Sequence, residues 1–200
     1  AETVLPSMQG PLALGEEAAR ELAAAITADG PRKESLYVCL RGQKGVGRST
    51  RVRRVAALLE APALLFSCAS APTSRRDAFF DSLRTAGRET VLLQGMLALR
   101  DFDCLLEEPE TARQVLDLAG RFSGVVFVLV QEETVTVDLR EHKHWVELTV
   151  PPPTREESIA LWQRELAAMP LAEPVDGAEM ANKFSFTPAQ IAGAGRTAAG

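Results

Sequence analysis

A glycine-rich segment between a strand-like run and a helical run places the tightest constraint on the fold of this chain. Residues 36–41 read Leu-Tyr-Val-Cys-Leu-Arg, and residues 42–50 read Gly-Gln-Lys-Gly-Val-Gly-Arg-Ser-Thr. From residue 48 onward, apolar residues recur at helical spacing. Glycines at such a junction let backbone N–H groups turn inward around phosphate oxygens, and the N-terminus of the following helix adds partial positive charge. The segment therefore predicts a phosphate-binding loop.

The spacing of this segment fits the phosphate-loop pattern G-x-x-x-x-G-K-[S/T] with one departure. Gly42, Gly47 and Ser49 match, and Arg48 stands where lysine is expected. Because arginine is longer and planar, we expect binding to persist while hydrolysis weakens. A glycine-rich turn without a ligand is the alternative. The predicted phosphate-binding residues are Gly42, Gly45, Val46, Gly47, Arg48, Ser49 and Thr50, and the Ser49 hydroxyl is also a predicted Mg²⁺ ligand.

Strand-like and helical runs alternate through the first three quarters of the chain. The run at 125–130 has six consecutive apolar residues, which is typical of a central parallel strand buried on both faces. Strands joined by helices of about a dozen residues favour a parallel sheet with right-handed crossovers. The sequence predicts an α/β fold, a three-layer αβα arrangement with a five-stranded parallel sheet. Its strands are 36–41, 63–69, 96–99, 125–130 and 145–150, and its helices are 14–26, 48–60, 74–86 and 110–121, with 91–94 continuing or capping the third.

The pattern changes after Pro151-Pro152-Pro153. Thr154 and Glu157 form a capping-box pattern at the start of a helix. Two more helical runs follow at 176–184 and 188–196, the last with proline at its first position. The chain is thus predicted to divide into an αβα subdomain with a leading helix at 1–153 and a small all-helical lid at 154–200.

Carboxylates follow the predicted strand at 96–99, where a phosphate-loop enzyme needs one to hold the metal and a second to polarise water. The strand is followed by Arg100-Asp101-Phe102-Asp103. In the simplest register Arg100 takes the metal position and Asp101 the catalytic position. A shift by one gives Asp101 the metal role and puts Phe102 in the catalytic position. Neither register gives an intact pair, and solvated acids at a strand end are the alternative.

Composition narrows the possible partners and locations. The chain has 22 basic and 27 acidic residues, a formal charge of −5, which argues against nonspecific binding of nucleic acid. Its longest apolar run has six residues, far short of the roughly 20 that a membrane helix needs. The odd set Cys39, Cys68 and Cys104 predicts reduced, buried cysteines of a cytoplasmic protein. Because the chain starts without methionine and ends in a Gly/Ala/Thr stretch, we expect a piece of a longer protein.

Taken in order, these features resemble an AAA+ ATPase module, a P-loop NTPase, over residues 12–198. The segment Phe186-Thr-Pro-Ala-Gln-Ile191 resembles the start of the lid helix that faces nucleotide. The resemblance implies ATP or ADP with Mg²⁺ as ligands, a ring formed with itself or a second AAA+ module, and a protein client. It also implies that Gln131 senses the outer phosphate and that Arg140 is a catalytic arginine finger, unless Arg140 is a solvated loop arginine.

The chain has arginine in place of lysine at residue 48 and lacks an intact carboxylate pair. In these two features it resembles the degenerate first module of bacterial proteins with two AAA+ modules in tandem. ATPases encoded with contractile injection particles are examples. This resemblance implies a nucleotide-binding module that supports ring assembly or client remodelling with weak or no hydrolysis. An active Mg²⁺-dependent ATPase, with Asp101 as metal ligand and catalytic residue, is one alternative. A nucleotide-free interaction scaffold, in which Arg48 fills the phosphate site with its own charge, is the other.

Overall fold

The structure is a computed structural model that describes residues 2–4, 16–28, 34–70, 76–131, 144–169 and 175–198. Its strands are β1 (Glu2–Val4), β2 (Leu36–Arg41), β3 (Ala63–Ser67), β4 (Met96–Arg100), β5 (Val125–Val130) and β6 (His144–Thr149). Its helices are α1 (Glu16–Ala28), α2 (Arg48–Leu58), α3 (Arg76–Leu92), α4 (Pro109–Gly120), α5 (Arg155–Ala167), α6 (Gly177–Lys183) and α7 (Pro188–Ala198).

The strands form one sheet in the order β1-β3-β4-β5-β2-β6. Strands β2 to β6 are parallel, which confirms the predicted five-stranded parallel sheet. The short strand β1 adds an antiparallel edge beside β3, an addition that the sequence did not predict. Strand β5 lies between β4 and β2, and its residues Val126, Val128 and Val130 are fully buried. The uninterrupted apolar run thus marks a central strand, as predicted.

Helices cover both faces of the sheet. Helices α1 and α2 pack on one face through residues such as Leu22, Val52 and Val55. Helices α3 and α4 pack on the other through residues such as Leu83 and Leu116. The three-layer αβα arrangement is therefore confirmed.

Helices α5, α6 and α7 pack around a small separate core. Leu161, Trp162 and Ile191 are its buried members. The Thr154 hydroxyl accepts a hydrogen bond from the Glu157 N–H at 3.2 Å, and the Glu157 carboxylate accepts one from the Thr154 N–H at 2.8 Å. The predicted capping box is therefore confirmed as the start of α5.

Helix α3 runs unbroken to Leu92, so residues 91 and 92 continue it as predicted. The buried Thr90 hydroxyl donates to the Ala86 carbonyl oxygen at 2.9 Å within this extension. Cys39 and Cys68 are buried as predicted, but Cys104 is exposed. It lies in a 3₁₀ turn, Phe102–Leu105, in which Phe102 and Leu105 are the buried residues. Within the described ranges, no helix is long and apolar enough to cross a membrane.

Candidate phosphate-binding site

The predicted loop and the predicted carboxylates lie at the same edge of the sheet. Because β2, β3, β4 and β5 run parallel to one another, their carboxyl ends lie at the same edge of the sheet. The glycine loop follows β2, Gln131 follows β5, and Asp101 follows β4. The Gly42 N–H donates to the Val130 carbonyl oxygen at 3.2 Å, which joins the loop to the end of β5.

The shape of the loop depends on its glycines. Gly45 and Gly47 have φ of 84° and 101°, in the left-handed region that favours glycine. A Cβ atom on Gly42 would lie 2.8 Å from the Val150 carbonyl oxygen, so a side chain has no room there. Val46 is buried, and its N–H donates to the Gln43 carbonyl oxygen at 3.2 Å. The buried Val46 side chain therefore anchors the loop in the core between α2 and the sheet.

Several donors of the loop have no acceptor among the described residues. They are the backbone N–H groups of Lys44, Gly45 and Gly47. Helix α2 begins directly after the loop, with Gly47 at its N-cap, and no side chain caps it within the described part of the chain. Unpaired N–H groups beside a helix N-terminus suit an anion such as phosphate. Ser49 is half-buried and Thr50 is exposed at this end of the helix.

Arg48 is the first residue of α2, directly after the loop. Its Nη1 atom is buried and has no hydrogen-bond partner among the described residues. Burial lowers the pKa of Arg48, while the nearby negative charges of Asp103 and Asp101 oppose that shift. A buried guanidinium nitrogen without an acceptor costs free energy, and a phosphate oxygen is an acceptor that would satisfy it.

Asp101 is the exposed carboxylate that directly follows β4. Its backbone has φ of 56° and ψ of 36°, a left-handed conformation. Its Oδ2 atom accepts a hydrogen bond from the Ser67 hydroxyl at 2.9 Å. The next residue, Phe102, is fully buried in the core, so the register that puts Phe102 in the catalytic position leaves no polar group there.

Asp103 is the second carboxylate at this edge and is half-buried. Its Oδ1 atom accepts a hydrogen bond from the Gln131 N–H at 2.8 Å. Asp103 had no predicted role, although it stands only two residues after Asp101. The side chain of Gln131, the predicted phosphate sensor, is exposed. Arg140, the predicted arginine finger, lies outside the described residues.

The start of helix α7 and the residue before it contact the glycine loop at Gly45. The Ala189 N–H, near the start of α7, donates to the Gly45 carbonyl oxygen at 3.2 Å. A Cβ atom on Gly45 would lie 2.8 Å from the Thr187 hydroxyl oxygen. Burial lowers the pKa of Arg51 on α2, and the charge of Glu157 on α5 opposes that shift. The segment 186–191 therefore lies beside the loop, as the lid resemblance implied.

The donor set fits Mg²⁺ bound together with a phosphate group. The Ser49 hydroxyl and the Asp101 carboxylate are hard oxygen groups of the kind that Mg²⁺ prefers, and they would be its ligands here. The described residues contain no group of three or more His, Cys, Asp or Glu side chains that could hold a metal alone. Mg²⁺ usually takes one or two protein carboxylates and completes its shell with water and substrate phosphates.

This chain is similar to many solved structures. The solved structure described as "Structural Basis for Katanin Self-Assembly" superimposes with a TM-score of 0.70 at 16% sequence identity. The match covers 92% of this chain and 66% of that chain. The chain therefore shares an α/β fold with that structure, and its five-stranded parallel sheet is consistent with the AAA+ P-loop NTPase fold that the sequence resemblance implied. No protein-family model matches it, and no curated protein matches it.

The match fits the topology described above. An AAA+ fold accounts for the parallel sheet, the glycine loop after β2 and the three helices that follow β6. At 16% identity the likeness concerns the fold. What the loop binds has to be argued from its own residues.

Proposed function

We propose that this chain is an AAA+ nucleotide-binding module that takes ATP or ADP with Mg²⁺ on its glycine loop. The buried Arg48 Nη1 atom carries the proposal, because it has no acceptor among the described residues. The N–H groups of Lys44, Gly45 and Gly47, in the loop directly before Arg48, have none there either. Gly42, Gly45, Val46, Gly47, Ser49 and Thr50 would surround the phosphates, and Gln131 would lie near the outer one. Ser49 and Asp101 would hold the metal.

In this proposal the module hydrolyses ATP weakly or not at all. Arginine replaces the compact ammonium that lysine would place between the outer phosphates. Asp101 is the one carboxylate directly at the end of β4, and the buried Phe102 supplies no second acid. Asp101 and Arg140 remain the catalytic candidates if turnover is found.

We propose that the module supports assembly of a ring or remodelling of a protein client. The neighbour's description names self-assembly of katanin, and a comparable contact here would involve other copies of this chain or a second AAA+ module. The subdomains would be 1–153 and 154–200, the second acting as a lid. We propose that the protein is bacterial and cytoplasmic and that this chain is the degenerate first module of a tandem AAA+ protein, as in ATPases of contractile injection particles. We propose no nucleic-acid or membrane partner.

Thermal unfolding with and without nucleotide tests the proposal. A ligand that binds only the folded state raises the midpoint by linkage. We expect ATP with Mg²⁺ to raise it for the natural chain, and not for Gly47→Ala or Ser49→Ala. Gly124→Ala and Ser82→Ala are matched controls, because Gly124 has open space around it and Ser82 lies on the exposed surface of α3. No midpoint shift with any nucleotide would contradict the proposal.

A nucleotide-free scaffold is the second candidate, and one observation favours it. The charges of Asp103 and Asp101 partly offset the effect of burial on the pKa of Arg48 without a ligand. In this candidate the two carboxylates, and not a phosphate, balance the charge of Arg48. This candidate predicts that no nucleotide changes the unfolding midpoint.

A further inference from the structure

Three consecutive prolines join the parallel sheet to the helical lid. Strand β6 ends at Thr149, Val150 is buried, and residues 151–153 are all proline. The next residue, Thr154, is the N-cap of α5. Proline fixes φ at about −65°, and a residue that precedes proline is held to extended backbone. The connection is therefore a short, stiff spacer, whereas a glycine-rich connection would bend freely.

The start of this spacer is fixed to the first residue of the glycine loop. The Val150 N–H donates to the Arg41 carbonyl oxygen at 2.6 Å, which extends the pairing of β6 with β2 by one residue. A Cβ atom on Gly42 would lie 2.8 Å from the Val150 carbonyl oxygen, so the two backbones are in close contact. Because Val150 also precedes a proline, its own backbone has little freedom. The spacer therefore leaves the sheet in one direction.

The lid is fixed at the other end of the spacer and at two more places. The capping box orders the first turn of α5 directly after the last proline. On α5, the charge of Glu157 acts on Arg51 of α2. At the start of α7, the Ala189 N–H donates to the Gly45 carbonyl oxygen at 3.2 Å. A body that is held at one point can pivot, whereas a body held at several separate points must break contacts to rotate.

We propose that the proline spacer and these contacts hold the lid in one orientation on the glycine loop, with and without a nucleotide. The loop and the lid then behave as one rigid body, and ligand binding changes the shape of the module little. A module of this kind contributes a constant surface to an assembly. The inference does not depend on the proposed nucleotide binding, because a fixed lid can be measured in the ligand-free chain.

Double electron–electron resonance tests the inference, because it measures the distribution of distances between two spin labels. One label is attached at Ser82→Cys in α3 and the other at Arg164→Cys in α5, which are exposed positions beside the sheet and in the lid. Cys104→Ser removes the exposed natural thiol. The other natural cysteines, Cys39 and Cys68, are buried and do not compete for the label.

The triple variant Pro151→Gly/Pro152→Gly/Pro153→Gly keeps the length of the spacer and removes its stiffness. Pro109→Gly is the control, since Pro109 is the first residue of α4 and lies outside the spacer. Each labelled chain would be measured without ligand and with ATP and Mg²⁺.

We expect a single narrow distribution for the natural spacer, with the same mean distance in both conditions. The distribution of the triple-glycine variant should be at least about 5 Å wider, and that of Pro109→Gly should match the natural one. Three results would each overturn the inference. They are a broad or two-peaked distribution for the natural spacer, a shift of its mean distance with ATP, and equal widths for the natural and triple-glycine spacers.

Failure of this inference and failure of the proposed function give different results. If calorimetry shows no nucleotide binding, the proposed function fails. A narrow ligand-free distribution that widens in the triple-glycine variant still supports the fixed lid in that case. If the chain binds ATP and the mean distance shifts, the proposed function stands and the fixed lid is rejected.

Discussion

The Ser67 hydroxyl donates a hydrogen bond to the Asp101 carboxylate at 2.9 Å, and the bond joins the ends of β3 and β4. Asp101 has φ of 56°, a conformation that costs free energy for a residue other than glycine. Ser67 therefore fixes the carboxylate of a residue whose backbone is already constrained. It is a positioning residue for the proposed metal ligand.

Ser67→Ala should weaken binding of magnesium-bound ATP by about fivefold, because a hydrogen bond of this kind contributes about 1 kcal/mol. Binding of metal-free ATP should change little, since Asp101 acts through the metal. Calorimetric titrations in Mg²⁺ and in EDTA would measure both constants, with Ser82→Ala as control. An equal loss in the two conditions would show that Ser67 supports the loop in general and not Asp101.

Gly45→Ala should loosen the contact between the loop and the lid. The added Cβ would lie 2.8 Å from the Thr187 hydroxyl oxygen, and φ of 84° strains any residue with a side chain, at a cost of about 1–2 kcal/mol. We expect faster hydrogen exchange at the Ala189 N–H, which bonds the Gly45 carbonyl oxygen. Gly124→Ala, with open space around its Cβ position, should leave that exchange rate unchanged. Unchanged exchange in Gly45→Ala would mean that the lid does not depend on this contact.

Arg48→Lys and Arg48→Met separate charge from shape at the phosphate site. Lysine keeps the charge and supplies a compact ammonium, so Arg48→Lys should retain ATP binding and raise the rate of phosphate release at least about tenfold. Methionine removes the charge, and Arg48→Met should lose detectable binding of magnesium-bound ATP. Phosphate release and calorimetry would measure the two effects. Natural affinity in Arg48→Met would exclude Arg48 as a phosphate ligand.

Thr154→Ala should destabilise the start of α5. The substitution removes the acceptor of the Glu157 N–H, which costs about 1 kcal/mol at a helix N-terminus. Hydrogen exchange in the first turn of α5 should accelerate, and Thr154→Ser, which keeps the acceptor, should behave like the natural chain. Equal exchange rates in Thr154→Ala and Thr154→Ser would show that the capping box adds no stability.

The folded chain should lose stability in strong alkali, because the buried Tyr37 phenol is then deprotonated. Burial, with a smaller effect from the Asp117 charge, raises the pKa of Tyr37 from 10.0 to about 12. The neutral phenol donates to the Leu116 carbonyl oxygen at 3.0 Å. Because the folded state holds the proton more tightly, this contribution is complete below pH 10 and is lost as the pH rises toward about 12.

Tyr37→Phe isolates that contribution. The difference in unfolding free energy between the natural chain and this variant should shrink by up to about 2–3 kcal/mol from pH 9 to pH 12. Urea unfolding at a series of pH values would measure it. A difference that stays constant over this range would contradict the raised pKa.

The sequence predicts most of the αβα layers because single elements carry strong local signals. The six apolar residues 125–130 identify the central strand, and the glycines before Arg48 mark the turn from strand to helix. Strand β1 could not be predicted, since three residues carry too little pattern and its pairing with β3 depends on distant contacts. Cys104 was wrongly predicted to be buried, because in its 3₁₀ turn the neighbouring Phe102 and Leu105 occupy the core instead.

The turn formed by the glycine loop was predicted from the sequence, whereas the contacts of the carboxylates were not. Gly45 and Gly47 have positive φ values in this turn. The partners of Asp101 and Asp103 lie on other strands, more than twenty residues away in the chain, and local spacing carries no information about such contacts. The hydrogen bond from Gln131 to Asp103 therefore emerges only from the parallel packing of β4 beside β5.

Titration calorimetry of the chain with ATP and with ADP, with and without Mg²⁺, tests nucleotide binding most directly. The concentrations should allow detection of millimolar affinity. We predict saturable heat with magnesium-bound nucleotide, lost in Arg48→Met and Gly47→Ala. No heat from either nucleotide in any condition would contradict nucleotide binding and would leave the glycine loop as part of an interaction scaffold.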